Sequence, residues 1–202
     1  LGAKFCKWRA VITIGENIPS EGCLMSNCHS LARYASLCQE NNLVPIVEPE
    51  VLINGDHSIE ISDKYTRKAL GILFDQLNLL GVNLAGTILK PSMVISGDKN
   101  SDRASPEKVA EMTIACLKDK CPDNLGGIAF LSGGQSDDEA TTHLNIMNQE
   151  NNYPWRVTFS YARAIQQSAL NIWSGKDLNI MDAQRKLTER AMLCSKASMG
   201  NL

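Results

Sequence analysis

Short apolar runs and helical-period stripes alternate along the whole chain. Residues 4–9, 44–50, 85–90, 127–132 and 156–161 are rich in Ile, Val, Phe, Leu or Ala and end on polar or charged groups, which predicts five β-strands. The stretches between them carry helix signals. Ser20 opens a helix to about residue 40, with Leu24, Cys28, Leu31, Ala35 and Cys38 at helical spacing. Residues 62–80 form a second, with Ala69, Leu70, Leu73, Leu77 and Leu80 on one side. Ser105-Pro106-Glu107 starts a third running to about Lys120, because proline at the first helical position loses no hydrogen bond. Ser136 and Glu139 have the spacing of a capping box that opens the fourth. Residues 163–173 and 178–195 complete the helices.

Strict β–α alternation with short connections predicts an α/β fold with a parallel sheet. Polar strand ends at Lys7, Glu48, Lys90 and Ser132 recur about every 41 positions, and the interval to Arg163 shortens to about 31. A quasi-repeat of βα units without a G-x-G-x-x-G fingerprint favours a TIM barrel over a doubly wound sheet. The expected fold is a partial (β/α)8 barrel, with about five of eight units present in one domain spanning residues 1–202. Three further units would take roughly 120 residues. The chain opens on Leu1 and enters its first strand within a few residues, so it is expected to be a piece of a longer protein that orders beside another segment or within an oligomer.

At 202 residues, 44% hydrophobic and 21% charged, the chain has the composition of a soluble globular protein. A net charge of −2 gives no global field for nucleic acid or an anionic membrane, and no apolar run is long enough for membrane insertion. The seven cysteines include no C-x-x-C pair and read as reduced thiols, which points to the cytoplasm. His29, His57 and His143 match no metal-ligand spacing, so no metal is expected.

Candidate chemistry lies at the strand ends. In "NLAGTILKPSMV" the apolar run stops on Lys90, and Pro91 forbids its continuation. A barrel would gather Lys90 with Lys7 and Arg9 of "KFCKWRA", Glu48 and Glu50 of "PIVEPEV", Ser132 and Gly133 of "FLSGGQS", and Ser160 and Arg163 of "TFSYARA" on one face. Each alone reads more simply as a solvated strand end or a surface turn. Their joint occurrence at five successive strand ends favours a site. An amine nucleophile must be neutral, which for lysine takes about 4 kcal/mol relative to its usual ionisation. A second cation about 4 Å away at an effective dielectric near 20 supplies that much, so Lys7 is expected to activate Lys90. Glu48 on the adjacent strand is the candidate proton shuttle, tuned by Glu50. The Gly-rich turn before a helix, with Ser132 and Arg163, suits a phosphate.

"LARYASLCQENNLVPIVEPEVL", "GTILKPSMV", "FLSGGQSDDEA" and "PWRVTFSYARAIQQSAL", in that order and spread across nearly the whole chain, resemble class I fructose-1,6-bisphosphate aldolase. The resemblance implies a Schiff-base lyase of glycolysis, cleaving fructose 1,6-bisphosphate reversibly to dihydroxyacetone phosphate and glyceraldehyde 3-phosphate, with no cofactor. It assigns Lys90 to the imine, Glu48 to proton transfer, and Glu50 and Lys7 to its support. Arg9 falls near the second phosphate, while Ser132, Gly133, Ser160 and Arg163 fall around the ketose 1-phosphate. It further implies a homo-oligomer, tetrameric in the family. The chain would match strands four to eight of that barrel, and without the preceding strands it is expected to have little activity. Two departures stand out: Ser92 where the family usually has Asn, and Ala162 where it usually has Gly, whose added methyl is expected to crowd the phosphate. Two rival readings remain: a non-catalytic scaffold for cytoskeletal partners, and an imine-forming aldolase for 2-keto acids, which would not need "SGGQS" and Arg163.

Overall fold

The computed structural model describes residues 2–202. Five parallel strands, β1 (Phe5–Ile12), β2 (Val44–Val51), β3 (Ile88–Leu89), β4 (Gly127–Phe130) and β5 (Val157–Phe159), lie side by side in sequence order. They alternate with α1 (Glu21–Glu40), α2 (Ile59–Leu79), α3 (Pro106–Lys120), α4 (Asp137–Glu150) and α5 (Arg163–Trp173), and α6 (Ile180–Ala197) follows. A strand order that never reverses has no switch point, so the sheet is not doubly wound.

Strand alternation divides the residues between two faces. On one, Ala10, Val47, Leu89, Ile128, Phe130 and Val157 are buried against Leu31, Leu73, Leu117 and Leu144 of the helices. Residues of the opposite parity point the other way, and Lys7, Arg9, Glu48, Glu50 and Lys90 are among them. This division keeps charge out of the core and concentrates it on the second face.

Helix starts follow their caps. The side chains of Ser20 and Ser105 accept from the amides of Cys23 and Lys108, and Ser136 and Glu139 form the reciprocal capping box. Several boundaries differ from expectation: β4 and β5 both stop two residues short, and four others have a local cause. The second helix starts one turn earlier, because Ser58 caps it; Ser62 is buried and its hydroxyl accepts from the amide of Ile95. The third strand is shorter, since residues Leu84–Gly86 turn as a 3-10 helix capped by Asn83. The first strand runs on to Ile12, because Ala10 and Ile12 continue the buried parity. The last helix starts at Ile180 after a 3-10 turn at Asp177–Asn179.

Among the described residues all seven cysteines are free thiols, and no helix is long and apolar enough to cross a membrane.

Candidate active site

Glu48 is the centre of the charged face. It is only 3% exposed, and its two carboxylate oxygens reach different lysines: Oε1 lies 3.0 Å from Lys90 Nζ and Oε2 lies 2.9 Å from Lys7 Nζ. Register explains the meeting. Val47 is paired with Leu89, so the next residue on each strand, Glu48 and Lys90, points to the same side at the same height. The amide of Lys90 still donates to the carbonyl of Val47 at 2.8 Å, which fixes its backbone although the strand has ended. Pro91 then removes the next donor and turns the chain away.

A second pair flanks the first. Arg9 donates through Nε to the buried carboxylate of Glu50, and that bond pushes the guanidinium further above its usual ionisation range. Arg9 is therefore a fixed cation at the rim, and Glu50 is a compensated buried anion.

Lys7 and Lys90 both reach one carboxylate, that of Glu48. At an effective dielectric near 20, each ammonium about 3 Å from Glu48 is attracted by about 5 kcal/mol before desolvation. The charged group in contact with Lys90 is thus an anion, a carboxylate within reach to exchange a proton with it. Lys7, with 40% of its side chain exposed, lies at the more solvated side of the cluster.

The Gly-rich turn sits at the end of β4. Ser132 is buried, and its carbonyl accepts from the amide of Gln135 at 2.9 Å. Gly133 and Gly134 have φ values of 49° and 87°, in the left-handed region where a side chain is disfavoured. A Cβ on Gly133 would stand 2.8 Å from Leu131 Cδ1, and one on Gly134 would stand 3.0 Å from Ile53 Cγ2. Among the described residues neither amide donates to a protein acceptor, so both are free to bind an anion ahead of α4. Ser160 is tied to the same strand end, its amide donating to the carbonyl of Phe130 at 2.9 Å. Arg163 is exposed and opens α5.

Both departures fit the local backbone. Ser92 is buried and its hydroxyl donates to the carbonyl of Val51 at 2.9 Å, joining the ends of two strands. Ala162 has a φ of −103°, so its backbone does not require glycine, and its side chain is exposed.

A buried polar pair supports the turn from behind. Gln135 and His143 are both buried, with Oε1 and Nδ1 2.6 Å apart behind the Gly-rich turn, and burial pushes the imidazole down to about 4, so it is neutral. The "SGGQS" motif contains Gln135, but its partner lies eight residues on, inside a helix, where spacing gives no signal.

The chain matches a family model described as glycolytic fructose-bisphosphate aldolase class-I over residues 1–202. It is 54% identical over 202 residues to a probable fructose-bisphosphate aldolase class 1 of Xanthomonas campestris pv. campestris, covering 99% of this chain and 60% of the relative. It is 46% identical over 200 residues to the cytosolic fructose-bisphosphate aldolase 4 of Arabidopsis thaliana, covering 98% of this chain and 51% of the relative. A fructose-bisphosphate aldolase from Plasmodium falciparum, crystallised with TRAP and a small-molecule inhibitor, superposes with a TM-score of 0.96 at 44% identity, covering 99% of this chain and 58% of the other. The chain thus spans between half and two thirds of the length of these relatives. The family match over the full chain and the shared architecture establish that this chain belongs to the class I fructose-bisphosphate aldolase family.

Proposed function

We propose that this chain carries the Schiff-base half of a fructose 1,6-bisphosphate aldolase and acts within the cytoplasm as part of a complete (β/α)8 barrel. The observation that carries the reading is the bridging of Lys90 and Lys7 by the buried carboxylate of Glu48. Family membership supplies the substrate class, and the cytosolic relative supports the compartment. The sequential five-strand sheet, with its helices on one face and free edges at β1 and β5, supports the reading of a partial barrel in a single domain.

In this mechanism the neutral amine of Lys90 attacks the ketose carbonyl. Glu48 frees that amine by taking one proton from the Lys90 ammonium; after attack the remaining ammonium proton moves to the alkoxide to give the carbinolamine, and Glu48 delivers its proton to the hydroxyl, which leaves as water and yields a protonated imine. The base then removes the proton of the hydroxyl beside the scissile bond. That bond breaks, its electron pair moves into the imine as an enamine, and the aldehyde departs. Protonation of the enamine carbon and hydrolysis of the imine release the second triose phosphate and restore Lys90. The protonated imine is the electron sink, so the scheme requires no metal or organic cofactor. Glu50 and Arg9 keep a fixed pair of charges beside the reacting centre, and Lys7 stabilises charge on the leaving portion. Ser132, the amides of Gly133 and Gly134, Ser160 and Arg163 hold the ketose 1-phosphate.

The test is cleavage of fructose 1,6-bisphosphate by the whole gene product that carries this chain, with and without Lys90→Met. Triose phosphate is expected from the unsubstituted protein and none above background from the variant. Equal activity in the two would remove Lys90 from the chemistry.

A further inference from the structure

Arg190 belongs to α6, far in sequence from every strand end, yet it is only 3% exposed. Its guanidinium serves the beginnings of two other helices. Nε donates to the carbonyl of Ala164 in the first turn of α5 at 3.2 Å. One terminal nitrogen donates to the carbonyl of Asp137, the first residue of α4, at 2.6 Å and to the hydroxyl of Thr141 at 2.7 Å. The other reaches the Asp138 carboxylate at 3.1 Å.

These contacts bear on the anion site. α4 begins just after the turn of Ser132, Gly133 and Gly134, and α5 begins at Arg163. A phosphate held by both elements needs their relative position fixed to a fraction of an ångström. The guanidinium does this with a planar fork bonded to backbone on each side, which the single point charge of lysine does not reproduce. Its charge also has a use. Asp137, Asp138 and Glu139 crowd the start of α4, where they would oppose a bound phosphate. Arg190 meets the first two, and Arg103 meets Glu139 at 3.1 Å.

We propose that Arg190 is a positioning residue that locks the start of α4 to the start of α5, so that the Gly-rich turn and Arg163 act on one phosphate. The proposal rests on the reading of those groups as the phosphate grip. A purely structural arginine would stabilise the fold without distinguishing a phosphorylated ketose from an unphosphorylated one.

The experiment is borohydride trapping of the imine on the whole gene product that carries this chain, titrated with dihydroxyacetone phosphate and, separately, with dihydroxyacetone. Arg190→Lys is expected to raise the half-saturating concentration of the phosphate ester about tenfold and to leave that of dihydroxyacetone unchanged. Equal weakening of both ketoses, or no change in either, overturns the proposal. Arg163→Ala, run in parallel, separates the two levels of the argument. If it weakens the phosphate ester while Arg190→Lys does not, the positioning role alone fails; if it has no effect, or if the unsubstituted protein traps neither ketose, the phosphate reading fails with it. Should Arg190→Lys not fold, Thr141→Val removes one acceptor at similar volume. It is expected to weaken the phosphate ester selectively by about threefold, and an unselective or absent effect again overturns the proposal.

Discussion

Replacing Glu48 with glutamine removes one charge and keeps the shape, and it isolates what the carboxylate does. In the structure the two oxygens lie 2.9 and 3.0 Å from the two lysine nitrogens, and the side chain is 4% exposed. An amide oxygen still accepts a hydrogen bond, but the other end of the side chain becomes a donor facing an ammonium. The Coulomb attraction forfeited is about 5 kcal/mol for Lys90 at an effective dielectric near 20, and less for Lys7, which water screens. The more direct consequence is chemical, because no proton acceptor remains in contact with the amine. Loss of a positioned acid–base group slows turnover by about 100- to 10,000-fold, equivalent to about 3 to 5 kcal/mol in the barrier. The assay is steady-state cleavage of fructose 1,6-bisphosphate by the gene product that carries this chain, read by coupled oxidation of the triose phosphates. Glu48→Gln should lower kcat by that factor with KM changed by less than about threefold, while prolonged borohydride treatment still labels the protein. A fall in kcat of less than about tenfold would refute the assignment of proton transfer to Glu48.

Further consequences concern stability and the flanking lysine. Lys7→Met should reduce kcat by about 10- to 100-fold with little loss of thermal stability, since Lys7 is partly exposed and the buried Glu48 keeps Lys90 as a partner; a large drop in Tm would contradict this. The ionisation of His143 lies at about 4 in the folded protein and near 6.5 when unfolded, so the unfolded state binds the extra proton first. Its contribution is complete above pH 6.5 and is lost as the pH falls towards 4, by about 3 kcal/mol in all. His143→Gln should therefore flatten the decline of the urea midpoint across that window, and an unchanged slope would refute it. Gly126→Ala would put a Cβ 2.6 Å from the carbonyl oxygen of Ala85 and 2.8 Å from that of Thr87, both backbone atoms. Urea unfolding should register a loss of about 3 kcal/mol, and a neutral effect would mean that the start of β4 yields more than its packing implies.

Much of this architecture can be read from local chemistry. Ser20, Ser105 and Ser136 cap helices because each stands before a run whose apolar residues already have helical spacing. Two serines, Ser58 and Ser62, stand one helical turn apart, so local spacing leaves the start of the second helix open by a turn; the hydrogen bond from the Ile95 amide holds the second serine in the interior. The third strand is likewise shorter than its apolar run suggests. Ala85 and Gly86 suit an extended run, but Asn83 accepts from the Ala85 amide and starts a turn instead.

At the candidate site, Lys90 stands out in the sequence because it closes an apolar strand, and Glu48 because it interrupts one. The sharing of one carboxylate between two lysines was not legible. It depends on the register of β1, β2 and β3, which relates residues about forty positions apart. Arg190 was more deeply hidden, since an arginine in a polar helix gives no local sign that its partners are the first turns of two other helices.

The central claim is that Lys90 is the imine-forming nucleophile. Borohydride reduction of the gene product in the presence of dihydroxyacetone phosphate, followed by peptide mass mapping, tests it most directly. A reduced three-carbon adduct is expected on Lys90; an adduct on a different lysine, or none at all, would refute the assignment.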